Sequence, residues 1–140
     1  LFNEVFVMSN VKFLYVRNEW KKRDITIVSN LFDDQDKVFV KFAWAFRSNH
    51  DNFKKADGRE LALERLASGD IKYSDKFEIA KSDIQFFKIA TEILSVISNN
   101  PNTPKKYLDD IAEDLSYYVH RAMGGHSKLQ WKECFNIAEE

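Results

Sequence analysis

A single cysteine, Cys134, stands in the 140-residue chain, so no disulfide can close within it and a reducing compartment, the cytoplasm, is the expected setting. Only two prolines and four glycines are present, and no glycine-rich phosphate loop, His-Glu-x-x-His or Gly-x-Ser-x-Gly pattern occurs. No apolar run approaches the roughly 20 residues that cross a bilayer. The first short run, Leu1 to Val7, is interrupted by Glu4 and lacks the basic leader of a secretory signal. Met8 followed by Ser9 has the form of a translational start, which would make residues 1–7 a leader and residues 8–140 a single domain. Neither sign of charge dominates: 21 Lys and Arg face 22 Asp and Glu, for a net charge of -1. The molecule as a whole is therefore expected to draw in neither duplex nucleic acid nor an anionic membrane, and any anion site has to be local.

What the chain has in quantity is rings: twelve Phe, five Tyr and three Trp, within a composition that is 44% hydrophobic and 31% charged. That balance belongs to a folded globule rather than a disordered chain. A domain of this length buries roughly 68–70% of its unfolded surface. So many rings would overfill its core, which leaves aromatic surface for a ligand or another subunit.

Hydrophobic periodicity predicts an α+β fold, a small antiparallel meander of about three strands followed by three to four helices. Val11, Phe13 and Tyr15, then Ile25 and Ile27, then Val38, Val40, Phe42, Trp44 and Phe46, recur at period two. Polar connections are expected at Asn18 to Arg23 and Asn30 to Asp36. After Gly58 the period becomes helical, with Arg59, Ala62, Leu63 and Leu66 on one stripe and Gly69 as the stop. Ile71 to Ile79 reads equally as a short strand or an extended connection. Ser82, with Gln85 in capping-box position, predicts a second helix along Phe86, Ile89, Ala90, Ile93 and Ile97 that ends at Asn99, Asn100 and Pro101. Thr103 and Pro104 predict the cap and first turn of a third, carrying Leu108, Ile111, Ala112, Leu115, Tyr118, Val119 and Ala122. A fourth short helix is expected between Ser127 and Glu140.

The candidate chemistry is electrostatic. Arg47, Lys54, Lys55, Arg59 and Arg65 gather around the expected start of the first helix, where the peptide dipoles already repel cations by roughly 0.3–1 kcal/mol per charge. A bound phosphate would resolve that conflict, and Trp44 and Phe46 arrive on the preceding strand to offer ring faces. The alternative is an ordinary solvated helix whose cations pair with Asp51, Asp57, Glu60 and Glu64. Arg59, on the apolar stripe, needs an acceptor in either case. Arg17, Lys21, Lys22 and Arg23 with Trp20 form a second basic cluster, read as a hairpin tip. Arg121 falls where a cation complements a helix C-terminus, Asn99 and Asn100 read as turn formers, and Tyr117 and Tyr118 are expected to divide between core and surface. His120, His126 and Cys134 lack zinc-ligand spacing, and Asp109, Asp110, Glu113 and Asp114 read as a hydrated helix face. Neither an enzyme nor a metal or cofactor is expected.

One segment carries a resemblance. Arg47-Ser-Asn-His-Asp51-Asn-Phe53-Lys54-Lys55 followed by Gly58-Arg59-Glu-Leu-Ala62-Leu-Glu-Arg65-Leu66 resembles a phage family that inhibits the bacterial Thoeris defence, through an Asp-x-Phe-x-Lys-Lys element and a Gly-Arg-x-x-Ala-x-x-Arg-Leu helix. The close match covers about twenty residues. The resemblance implies a non-catalytic sponge that captures cyclic ADP-ribose-type signals in the infected host's cytoplasm, works as a homodimer or higher oligomer, and in some members also holds cyclic oligonucleotides. On that footing Arg59, Arg65, Lys54 and Arg121 are the expected phosphate contacts, Phe86, Trp44 and Tyr118 the expected base contacts, and Arg47 and Asn99 complete the candidate set. The alternative is a phage inhibitor that binds a host nucleic-acid enzyme, or nucleic acid, directly.

Overall fold

The computed structural model describes residues 11–47 and 55–124. Four strands, β1 (Lys12–Asn18), β2 (Arg23–Asp34), β3 (Lys37–Phe46) and β4 (Ser74–Ile79), form one antiparallel sheet in the order β1-β2-β3-β4. Three α-helices are described, α1 (Lys55–Ser68), α2 (Phe86–Asn99) and α3 (Leu108–Ala122), with single 3-10 turns at Lys81–Asp83 and Lys105–Tyr107. The fold is α+β, with one strand more than the periodicity predicts. Contacts cluster the chain into two compact units, Leu1–Ser82 and Asp83–Glu140. The leader assigned to residues 1–7 and the helix expected after Ser127 lie outside the described residues.

In the first unit the register settles which side chains share a face. Leu14 lies opposite Ile27 and Ile27 opposite Trp44, while Phe13 lies opposite Val28 and Val28 opposite Ala43. Alternation along each strand then puts Leu14, Val16, Ile25, Ile27, Phe42 and Trp44 on one face, all buried, and Phe13, Val28, Ala43 and Ala45 on the other. The second face receives α1 through Ala62, Leu66 and Leu63. The small residues Ala43, Ala45 and Ala62 let helix and sheet approach closely. Burying Leu66 and Val28 there contributes about 1.5–3 kcal/mol each.

Three local expectations change in the first unit. β4 occupies the segment that reads ambiguously: it is a sheet-edge strand with mostly outward polar residues, held by Phe77 opposite Val40 with its ring edge-on to Phe42 at 5.7 Å. The connection expected over Asn30 to Asp36 shrinks to the two residues Gln35 and Asp36, both left-handed at φ 50° and 68°, because β2 continues to Asp34. Helix α1 starts at Lys55, so Gly58 lies inside it and Arg59 stands a full turn from its first residue. Its end is as expected: Gly69 has φ 64°, and the Asp70 N–H reaches back to the Arg65 carbonyl at 3.1 Å.

Where the two units join in sequence, the capping box at Ser82 gives way to the 3-10 turn Lys81–Asp83. Gln85 itself is the N-cap, its side chain accepting from the Lys88 N–H at 3.0 Å. Helix α2 buries Ala90, Ile93, Leu94 and Ile97. Thr103 is not the cap of α3. Its buried hydroxyl donates back to the Ile97 carbonyl near the end of α2, while Pro104 leads into the 3-10 turn that precedes Leu108. Helix α3 packs on α2, with Ile111 fully buried and Ala112, expected on the apolar stripe, exposed.

Candidate functional site: a guanidinium on an aromatic cluster

The candidate residues fall in two places, one in each unit. In the first, each described arginine is engaged by the fold. Arg47 Nη1 pairs with Asp24 Oδ2 at 3.2 Å, in largely buried surroundings. Arg59 Nη1 donates to the Tyr15 hydroxyl at 3.5 Å. Arg65 Nη1 donates to the Trp44 carbonyl at 2.8 Å, and its guanidinium carbon lies 4.1 Å over the Tyr73 ring. A half-buried guanidinium needs an acceptor, and here the backbone and a phenol supply it. Trp44 is fully buried, stacked on Phe42 at 5.6 Å, and its indole N–H has no hydrogen-bond partner among the described residues. Lys54 lies outside the described residues.

The second place assembles three of the candidates. Phe86 and Phe87 open α2, while Tyr117, Tyr118 and Arg121 lie on the last turns of α3. The Phe86 and Phe87 rings meet edge-on at 5.4 Å, Phe86 meets Tyr118 edge-on at 5.9 Å, and Phe87 lies 6.1 Å from Tyr118. Tyr117 and Tyr118 do not divide between core and surface: both are half-buried, their rings 5.5 Å apart. The Arg121 guanidinium carbon lies 4.5 Å from the Phe87 centroid, and Nη1 donates to the Tyr117 hydroxyl at 3.2 Å across the four-residue spacing that puts two helical side chains side by side. A guanidinium on a ring face gains about 0.5–2 kcal/mol.

Phe86 stays 47% exposed, so this cluster opens a ring to solvent beside a fixed positive charge. Burial pushes the Tyr118 hydroxyl up to about 12, with the Asp114 carboxylate and then Tyr117 adding to the effect. Tyr118 is thus a neutral hydrogen-bonding group at physiological pH. Ring faces and an always-charged fork are the two groups needed for a planar base carrying a phosphate. Asn99 is not among them: it ends α2, about 20 Å of helix away from Phe86. Phe87 is the residue that sequence reading passes over, although a Phe-Phe doublet at a helix start is a legible signal.

Among the described residues no group of three or more His, Cys, Asp or Glu is placed to hold a metal ion. No helix among them is long and apolar enough to cross a membrane. Comparison with protein-family models, with curated proteins and with solved structures returned no match.

Proposed function

We propose that this chain captures a nucleotide of the cyclic ADP-ribose type and holds it without cleaving it, which is what the resemblance to the Thoeris-inhibiting phage family implies. In the infected bacterial cytoplasm such a sponge would withhold the signal from a defence effector, assembled as a homodimer or larger oligomer. The observation that carries the reading is the Arg121 guanidinium on Phe87, bordered by Phe86, Tyr117 and Tyr118. It supports recognition of a ring and an anion together, with no reacting group required. Arg121 would take the phosphate, and Phe86 with Tyr118 the base. Sequestration asks for slow release, which buried stacking and charge-assisted hydrogen bonds favour.

Calorimetry against a panel of cyclic ADP-ribose isomers and cyclic oligonucleotides tests this. At least one isomer should bind, and Arg121→Ala should weaken it by one to two orders of magnitude, the equivalent of about 1.5–3 kcal/mol for a charged hydrogen bond. Ligand recovered intact after heating the complex supports capture, and a cleaved product overturns it. Absence of binding across the panel at micromolar protein, or affinity for nucleic acid that falls steeply with salt, transfers the case to the inhibitor of a nucleic-acid enzyme.

A further inference from the structure

The end of the sheet where β1 turns into β2 is also the end where the chain enters β4, because the strands are antiparallel in sequential order. Among the described residues two loops lie there, each presenting one large apolar side chain to water. Trp20, in the β1–β2 turn, is 91% exposed, and Ile71, in the loop before β4, is 96% exposed. Cations accompany both: Lys21 and Lys22 follow Trp20, Lys72 follows Ile71, and all three are exposed, as is Arg17 at the end of β1. Glu19 is the exposed carboxylate of the first loop. In the second, the half-exposed Asp70 accepts the Lys72 and Tyr73 N–H groups at Oδ1, and Asp75 and Lys76, both exposed, follow at the start of β4.

Neither loop is a loose end. The Lys21 N–H donates to the Asn18 side chain at 3.0 Å, the Lys22 N–H donates to the Glu19 carbonyl at 3.3 Å, and Lys22 takes a left-handed φ of 54° that closes the turn. Fixed turns thus hold a Trp and an Ile with nearly all of their surface in water, where either can add apolar burial to a contact without first leaving the core.

We infer that this end of the sheet is a peripheral docking surface for an anionic lipid membrane. The choice of partner follows from the pairing of features. Trp is the side chain best suited to the headgroup boundary, Ile to the acyl side, and the surrounding lysines to anionic headgroups. A single-stranded nucleic acid would also use the cations and Trp20, but Ile71 gives it no ring on which to stack a base. The net charge of -1 is no obstacle, since screening confines each charge to its own neighbourhood, about 8 Å at physiological salt.

Co-sedimentation of the purified full chain with vesicles tests the surface, using phosphatidylcholine alone and phosphatidylcholine mixed with phosphatidylserine. The chain should pellet with the mixed vesicles and not with the neutral ones, and release with added salt. The Lys21→Ala, Lys22→Ala double variant should lower partitioning by roughly 25-fold, at about fivefold per cation near such a surface. Trp20→Ala should lower it by roughly tenfold, and Ile71→Ala by a smaller factor. All these side chains are exposed, and an unchanged circular dichroism spectrum keeps folding out of the comparison. Failure to pellet with anionic vesicles at low salt, equal binding to neutral vesicles, or indifference to the three variants overturns the inference. Binding of a single-stranded DNA oligomer in place of vesicles would do the same.

Discussion

Arg65 has its guanidinium in use within its own unit, stacked on Tyr73 and donating to the Trp44 carbonyl, so its removal should register first as lost stability. Arg65→Ala is expected to cost about 2 kcal/mol, read as a lower urea midpoint with unchanged slope. Thr103→Val keeps the volume but removes the donor to the Ile97 carbonyl, with an expected cost of about 1 kcal/mol by the same measurement. Tyr118 ties stability to pH. The unfolded chain's hydroxyl ionises near 10, and the folded one holds its proton to about 12. Between these values the unfolded state has lost a proton that the folded state keeps, so stability falls as pH rises through that window and the slope vanishes on either side. Partial solvent contact makes the slope shallower than one full proton would give. Urea midpoints across alkaline pH, set against Tyr118→Phe, should show that variant losing less.

At the level of elements the turn at Gln35 and Asp36 is the least suited to its sequence, since both residues hold positive φ without being glycine. Replacing the pair by Asn-Gly, the preferred sequence for such a hairpin, should stabilise the protein by about 1 kcal/mol, checked by thermal melting. The elements most legible in the sequence are those whose period their burial enforces. β3 alternates Val38, Val40, Phe42 and Trp44, and α2 repeats Ala90, Ile93 and Ile97. β4 is legible only as one of two alternatives, because an edge strand buries little and its Ser74, Asp75 and Lys76 leave no alternating pattern to read. Capping was misplaced for a different reason. Ser82 and Thr103 are competent caps in isolation, and only tertiary context spends the Thr103 hydroxyl on the preceding helix and leaves the α2 cap to Gln85.

Across the whole molecule, ligand capture and stability are linked. If a cyclic ADP-ribose isomer binds the folded state alone, then at about one hundred times its dissociation constant it should add roughly 2.7 kcal/mol, measured as a rise in melting temperature that Arg121→Ala loses. The candidate cluster was half legible. Phe86, Tyr118 and Arg121 stand more than thirty residues apart at their extremes, and the antiparallel turn-back of two helices is what brings the start of α2 to the end of α3. The partners of the cations near α1 were not legible, because one-dimensional crowding does not disclose that Arg47 faces Asp24 and Arg59 faces Tyr15. The tryptophans give the chain an optical instrument of its own. In a Trp131→Phe background, Trp44, walled off from water and with its N–H unanswered among the described residues, should emit at short wavelength, and Trp20, out in solvent, at long. Loss of the blue component would signal melting of the sheet, and a blue shift of the red component would signal contact at the hairpin, so one spectrum distinguishes unfolding from docking.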